Sequence, residues 1–131
     1  MFVTVAVLRY QALVRSEQET EAARFGREMV EGRLADLPSA LNGLAWSIVS
    51  PSEPLSDAPD LELAALAIER ADAVTDHGDA SILDTLARVH WMEGRTELAI
   101  ETQRRALERS PDEWKEQMQA TLATYEAGDD A

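Results

Sequence analysis

The sequence predicts an all-α domain of about six or seven helices folded as antiparallel hairpins, and three observations point there. Ala, Leu, Glu, Arg and Gln, the strong helix formers, dominate the chain. Glycine and proline fall almost entirely between segments of helical periodicity. Two stretches of the chain also repeat one another.

Each element can be justified in order. The first segment, "FVTVAV", alternates β-branched residues as a strand would, but a single short strand has nothing to pair with. Val3, Val7, Tyr10 and Val14 fall at helical spacing, so residues 2–15 are read as helix. Ser16 with Glu19 fits a capping box and starts a helix near Glu17. Pro38 opens the next helix, which runs to about Val49. "SPSEPLSDAP", residues 50–59, is a loop. Asp60 begins a helix that reaches about Thr75, where "DHGD" ends it. Asp79 caps the next helix, and Gly94 is its left-handed terminator. Thr96 caps the one after that. "SPDE", residues 110–113, supplies a Ser cap, a Pro at the first helical position and a Glu three residues after the cap.

Composition excludes several functions. With no cysteine there is no disulfide, thiolate zinc site or Cys-x-x-Cys redox chemistry. The net charge of −13 repels phosphate backbones and anionic lipid, so neither nucleic acid nor membrane is an expected partner. The charge-free apolar run from Phe2 to Leu8 ends at Arg9, too short to span a bilayer, and no basic region precedes it. The expectation is a soluble, cytoplasmic chain. No phosphate loop, nucleophile elbow or paired-carboxylate pattern is recognisable, so no cofactor, metal or catalytic residue is expected.

The repeat aligns "LNGLAWSIV" (41–49) with "LDTLARVHW" (83–91), and "LELAALAIERA" (61–71) with "TELAIETQRRA" (96–106). Leu41, Leu44 and Ala45 match Leu83, Leu86 and Ala87; Ala64 and Ala71 match Ala99 and Ala106. Ala45 to Ala64 is 19 positions and Ala87 to Ala99 is 12, so the first copy carries a seven-residue insertion, the proline-rich loop. Helices approach closely only where side chains are short, so these alanines mark crossings. A weaker copy over residues 4–37 sets Ala23 at the equivalent of Ala64 and Ala99.

These residues resemble the tetratricopeptide repeat, a unit of two antiparallel helices in about 34 residues. Its pattern is held here by Leu83, Leu86–Ala87, His90, Gly94, Ala99, Gln103, Ala106 and Pro111. His90 and Gln103 depart from it, because the family carries large apolar residues there. A closer resemblance covers residues 25–127, with "ILDTLARV" its most specific piece. It is to the tetratricopeptide-like tails behind thioredoxin-fold (redoxin) domains of bacterial multidomain proteins. The resemblance implies a right-handed solenoid used for scaffolding or docking. It divides the chain into a divergent helical pair (1–37), a repeat with the insertion (38–76), a second repeat (79–111) and a capping helix (112–127). Redox chemistry in those proteins belongs to cysteines of another domain and does not carry over.

The expected function is a non-catalytic protein-interaction module that takes a protein or peptide on the concave face of the repeats. The residues expected there are Asn42, Trp46, Val49, Asp84, Arg88, Trp91 and Met92, flanked by Ser39 and Ser81. The competing reading of Trp46 and Trp91 is packing beneath a neighbouring repeat. The alternative function is a self-associating structural appendage, or a detached tail acting beside a separate thioredoxin-fold enzyme. A small enzyme using His90 is a third, against which His90 shares the inward face of Leu83, Leu86 and Ala87 and can bond Gln103 across the pair. Trp114, Met118, Leu122 and Tyr125 form one apolar stripe, which caps the array or serves as a homo-oligomer face.

Overall fold

A computed structural model of the chain describes residues 2–50 and 59–128. Among these residues there are seven α-helices and no strand. They are α1 (Phe2–Arg15), α2 (Glu19–Glu31), α3 (Pro38–Val49), α4 (Leu61–Val74), α5 (Ala80–Met92), α6 (Thr96–Arg109) and α7 (Asp112–Ala127). The β-like alternation at the start yields to helical burial, since Tyr10 is buried and Val7 and Val14 pack against the core. Residues 51–58 of the expected loop lie outside the described residues.

Side-chain caps start two of the helices. Asp60 accepts a hydrogen bond from the Leu63 amide, and Asp79 from the Ile82 amide, both at 3.1 Å. Each satisfies one donor that the first helical turn leaves unpaired. Gly94 stands at φ +83°, in the left-handed region expected of it.

Three expected caps are corrected. The Ser16 hydroxyl donates back to the Leu13 carbonyl at 3.2 Å, and α2 starts only at Glu19, after Glu17 at φ 62°. The Ser110 hydroxyl likewise donates to the Leu107 carbonyl at 2.8 Å, so Pro111, and not Ser110, precedes α7. Both serines donate to a carbonyl in the last turn of one helix instead of accepting from an amide at the start of the next. Thr96 is the first residue of α6 and not its cap, because the Arg95 carbonyl already accepts from the Ala99 amide at 2.9 Å.

Sequence-adjacent helices pack on each other within the pairs α1/α2, α3/α4 and α5/α6, and α7 packs on α6. The pairs touch through α1 on α3, α2 on α4, α3 on α5 and α4 on α5. The crossings lie at the small residues. Ala45, Ala64, Ala71, Ala87, Ala99 and Ala106 are all fully buried. In α2 the register differs from the expected one. Ala23 is half-buried, while Ala22 and Gly26 are buried. A Cβ on Gly26 would stand 2.3 Å from Leu63 Cδ2, so the buried Leu63 of α4 packs into the space that a side chain there would take.

Polar groups reinforce these contacts. Arg27 of α2 forks onto Asp60, with Nη1–Oδ2 at 3.1 Å and Nη2–Oδ1 at 3.4 Å, so one carboxylate caps α4 and holds α2 to it. Burial, with the charge of Asp60 adding, pushes the Tyr10 hydroxyl beside this pair up to about 12. In the turn after α4, Asp76 and His77 both take positive φ, and His77 Nδ1 lies 2.6 Å from Asp72 Oδ2.

Candidate functional site

The central helix α5 positions the site. Its buried residues cover most of its circumference: Ala80, Ile82, Leu83, Thr85, Leu86, Ala87, Val89 and His90. What remains half-exposed is Ser81, Asp84, Arg88 and Trp91, spaced three, four and three apart, with Met92 beside them. That spacing is one helical stripe. Ser81, Asp84 and Arg88 of this stripe form the floor of an open groove of about 550 Å³. One wall is α3, through Trp46. The other is α7, through Glu113, Trp114, Gln117, Thr121 and Tyr125.

The walls are tied by specific bonds. Asn42 of α3 donates its Nδ2 to the Ser81 hydroxyl at 3.2 Å. Arg88 donates its Nε to the Val49 carbonyl at 2.9 Å. That carbonyl is at the end of α3, where a helix leaves acceptors unpaired and carries partial negative charge, so a guanidinium suits it twice over. Beyond the floor, Trp91 of α5 stacks on Tyr125 of the opposite wall, with ring centroids 4.9 Å apart and planes inclined by 22°. Buried Gln103 of α6 donates its Nε2 to Asp84 Oδ1 at 3.0 Å and to the Met118 carbonyl at 3.2 Å, joining α5, α6 and α7 through one amide. Gln103 Oε1 has no partner among the described residues. Arg104–Glu126 at 3.0 Å and Lys115 to the Leu107 carbonyl at 3.1 Å fasten α7 from outside.

The expected residues therefore divide. Trp46, Asp84 and Arg88 come together in the groove, and Trp46 keeps 38 % of its surface exposed. Asn42 is engaged with Ser81 at its edge. The Val49 side chain is buried, so only its carbonyl contributes. Met92 packs against the core, and Trp91 is held against Tyr125. The third tryptophan, Trp114, lines the groove and is 43 % exposed. The α7 stripe to which it was assigned splits, because Met118, Leu122 and Tyr125 are buried and Trp114 is not. Its location four residues before Met118 was visible in the sequence, but which end of the stripe would run clear of α6 was not.

Burial pushes the Asp84 carboxyl above its ordinary range, and the hydrogen bond from Gln103 partly offsets this. His90 is 8 % exposed, with Nδ1 3.4 Å from Glu93 Oε1. The expected His90–Gln103 bond is corrected: Gln103 reaches across to Asp84 and Met118 instead, because those acceptors flank its amide. Among the described residues, no group of three or more His, Asp or Glu side chains could hold a metal ion, and no helix is long and apolar enough to cross a membrane. In comparisons with protein-family models, curated proteins and solved structures, none matches the chain.

Proposed function

We propose that the chain is a non-catalytic protein-interaction module. Its hairpins stack as a tetratricopeptide-like right-handed solenoid, and a protein or peptide partner occupies the groove between α3, α5 and α7. The observation that carries this reading is the exposure of Trp46 and Trp114 on facing walls of one concave surface. Tryptophan is the side chain most enriched at binding hot spots, and leaving two in water forgoes burial that a partner would recover. The walls are helices pinned by hydrogen bonds and a ring stack, so little ordering is needed on association.

The burial of His90 within the α5 interface supports a structural role for it, in place of the general base that a small enzyme would need. A second reading, a self-associating appendage beside a separate thioredoxin-fold enzyme, draws on Trp114, which a two-fold contact would cover. Sedimentation velocity separates the two. The interaction module sediments as one chain across a wide concentration range, and Trp114→Ala leaves that unchanged. Wild-type dimers that dissociate on Trp114→Ala would replace the first reading by the second.

A further inference from the structure

We infer that the groove takes a basic peptide segment, with a Lys or Arg side chain laid against Trp46 and Trp114 and its charge answered by Asp84 and Glu113. This rests on the groove being a partner site, and it names the partner's chemistry.

Four features converge on it. Among the described residues, the lining combines two part-exposed indole side chains with two carboxylates, Asp84 on α5 and Glu113 at the start of α7. Aromatic faces attract cations through their quadrupole, best of all for tryptophan, and a nearby carboxylate adds to the attraction. Among the described residues the groove is lined by one cation, Arg88, whose Nε donates to the Val49 carbonyl. An anionic partner would meet that engaged guanidinium and two carboxylates. Beyond the groove, the net charge of −13 draws a basic segment in and repels an acidic one, by long-range steering that salt screens. A volume of about 550 Å³ lies within the range of sites that enclose a small ligand or a few side chains.

General acidity alone would attract any polycation, so the test must separate the groove from the surface. Three blocked peptides of equal length and apolar pattern, with Arg, Gln or Glu at the variable positions, are titrated into the full chain by calorimetry at two salt concentrations. The Arg peptide is expected to bind more tightly than the Gln peptide, and the Glu peptide more weakly than either. Trp46→Ala, Trp114→Ala and Glu113→Gln should each weaken the Arg peptide by about 2–5-fold, the range a single exposed cation–π or charge contact supplies. Glu108→Gln removes the same charge from an exposed position on α6 outside the groove and should change affinity much less. Equal binding of the Arg and Gln peptides, with both still dependent on the tryptophans, would overturn the basic specificity and leave the groove as the site. Arg-peptide binding that ignores the tryptophans, or responds equally to Glu108→Gln and Glu113→Gln, would overturn both. Absence of Arg-peptide binding overturns the inference outright.

Discussion

Replacing glycine by alanine inside a helix usually stabilises it, by roughly 0.5–1 kcal/mol, because alanine has less backbone freedom to lose. In this protein the same change should have opposite signs at two helical positions. At Gly26 in α2 the added carbon would lie 2.3 Å from Leu63 Cδ2 and 3.3 Å from both Leu63 Cδ1 and Tyr10 Cε1. Carbon atoms rest at about 3.5–4.0 Å, so the nearest contact overlaps by more than about 1 Å. Leu63 and Tyr10 are both buried and cannot swing into solvent. Overpacking of this kind costs about 1–3 kcal/mol, and after the propensity gain a net loss of about 0.5–2 kcal/mol remains for Gly26→Ala. Gly43 in α3 is the control, because a carbon added there meets nothing within 4 Å. Gly43→Ala should therefore stabilise by roughly 0.5–1 kcal/mol. Urea denaturation followed by circular dichroism reads both, with the midpoints moving in opposite directions at unchanged slope. If Gly26→Ala raises the midpoint as Gly43→Ala does, α2 does not press on α4 at that glycine, and the packing described here is wrong.

Three further outcomes follow from the same packing. Asp84→Asn keeps an acceptor for Gln103 and removes a charge whose burial raises the native pKa. A raised carboxyl pKa penalises the fold fully above the native value, and the penalty fades as pH falls through it toward the unfolded value. Asp84→Asn should thus be more stable than wild type at pH 7, with the gain shrinking as pH approaches 3.8 in paired melts; a gain that grows on acidification would show the opposite shift. Ala99→Leu should cost about 1–3 kcal/mol by overpacking the α5–α6 crossing and Leu86→Ala about 2–5 kcal/mol by leaving a cavity, and unchanged stability for both would remove the crossing register. Trp91→Ala should destabilise by about 1–3 kcal/mol through partial burial lost and the lost stack on Tyr125, while Trp46→Ala should shift stability by less than half that; equal losses would mean that Trp46 is a core residue.

An all-helical chain of about six or seven helices, and the alanine crossings within the α3/α4 and α5/α6 pairs, were legible because helix periodicity and its end signals are local. Periodic apolar residues, Pro38, Asp60, Asp79 and Gly94 each act through a few neighbours, and the alanines repeat at corresponding places. The stripe of Asp84, Arg88 and Trp91 was likewise legible from helical spacing. Three things were not. Serine and threonine hydroxyls can serve the end of one helix or the start of the next, and Ser16 and Ser110 took the former. The α2 crossing at Gly26 depends on where Leu63 arrives from another hairpin, so spacing from Ala64 and Ala99 misplaced it onto Ala23. The second wall of the groove depends on how α7 lies over α5 and α6. Gln103 supplies that placement by gripping both Asp84 and the Met118 carbonyl, at a position where the resembled family carries a large apolar residue. Its departure from the pattern was the visible signal, and its meaning needed three helices at once.

The central claim is that a partner lies in the groove between Trp46 and Trp114. It is tested most directly by a photo-crosslinking side chain at Gln117, in the groove, compared with the same side chain at Glu108 outside it. A crosslink to a different protein is expected from position 117 alone, abolished when Trp46 and Trp114 are both replaced by alanine. Crosslinks of equal yield from both positions, or a product made of two copies of this chain, would contradict it.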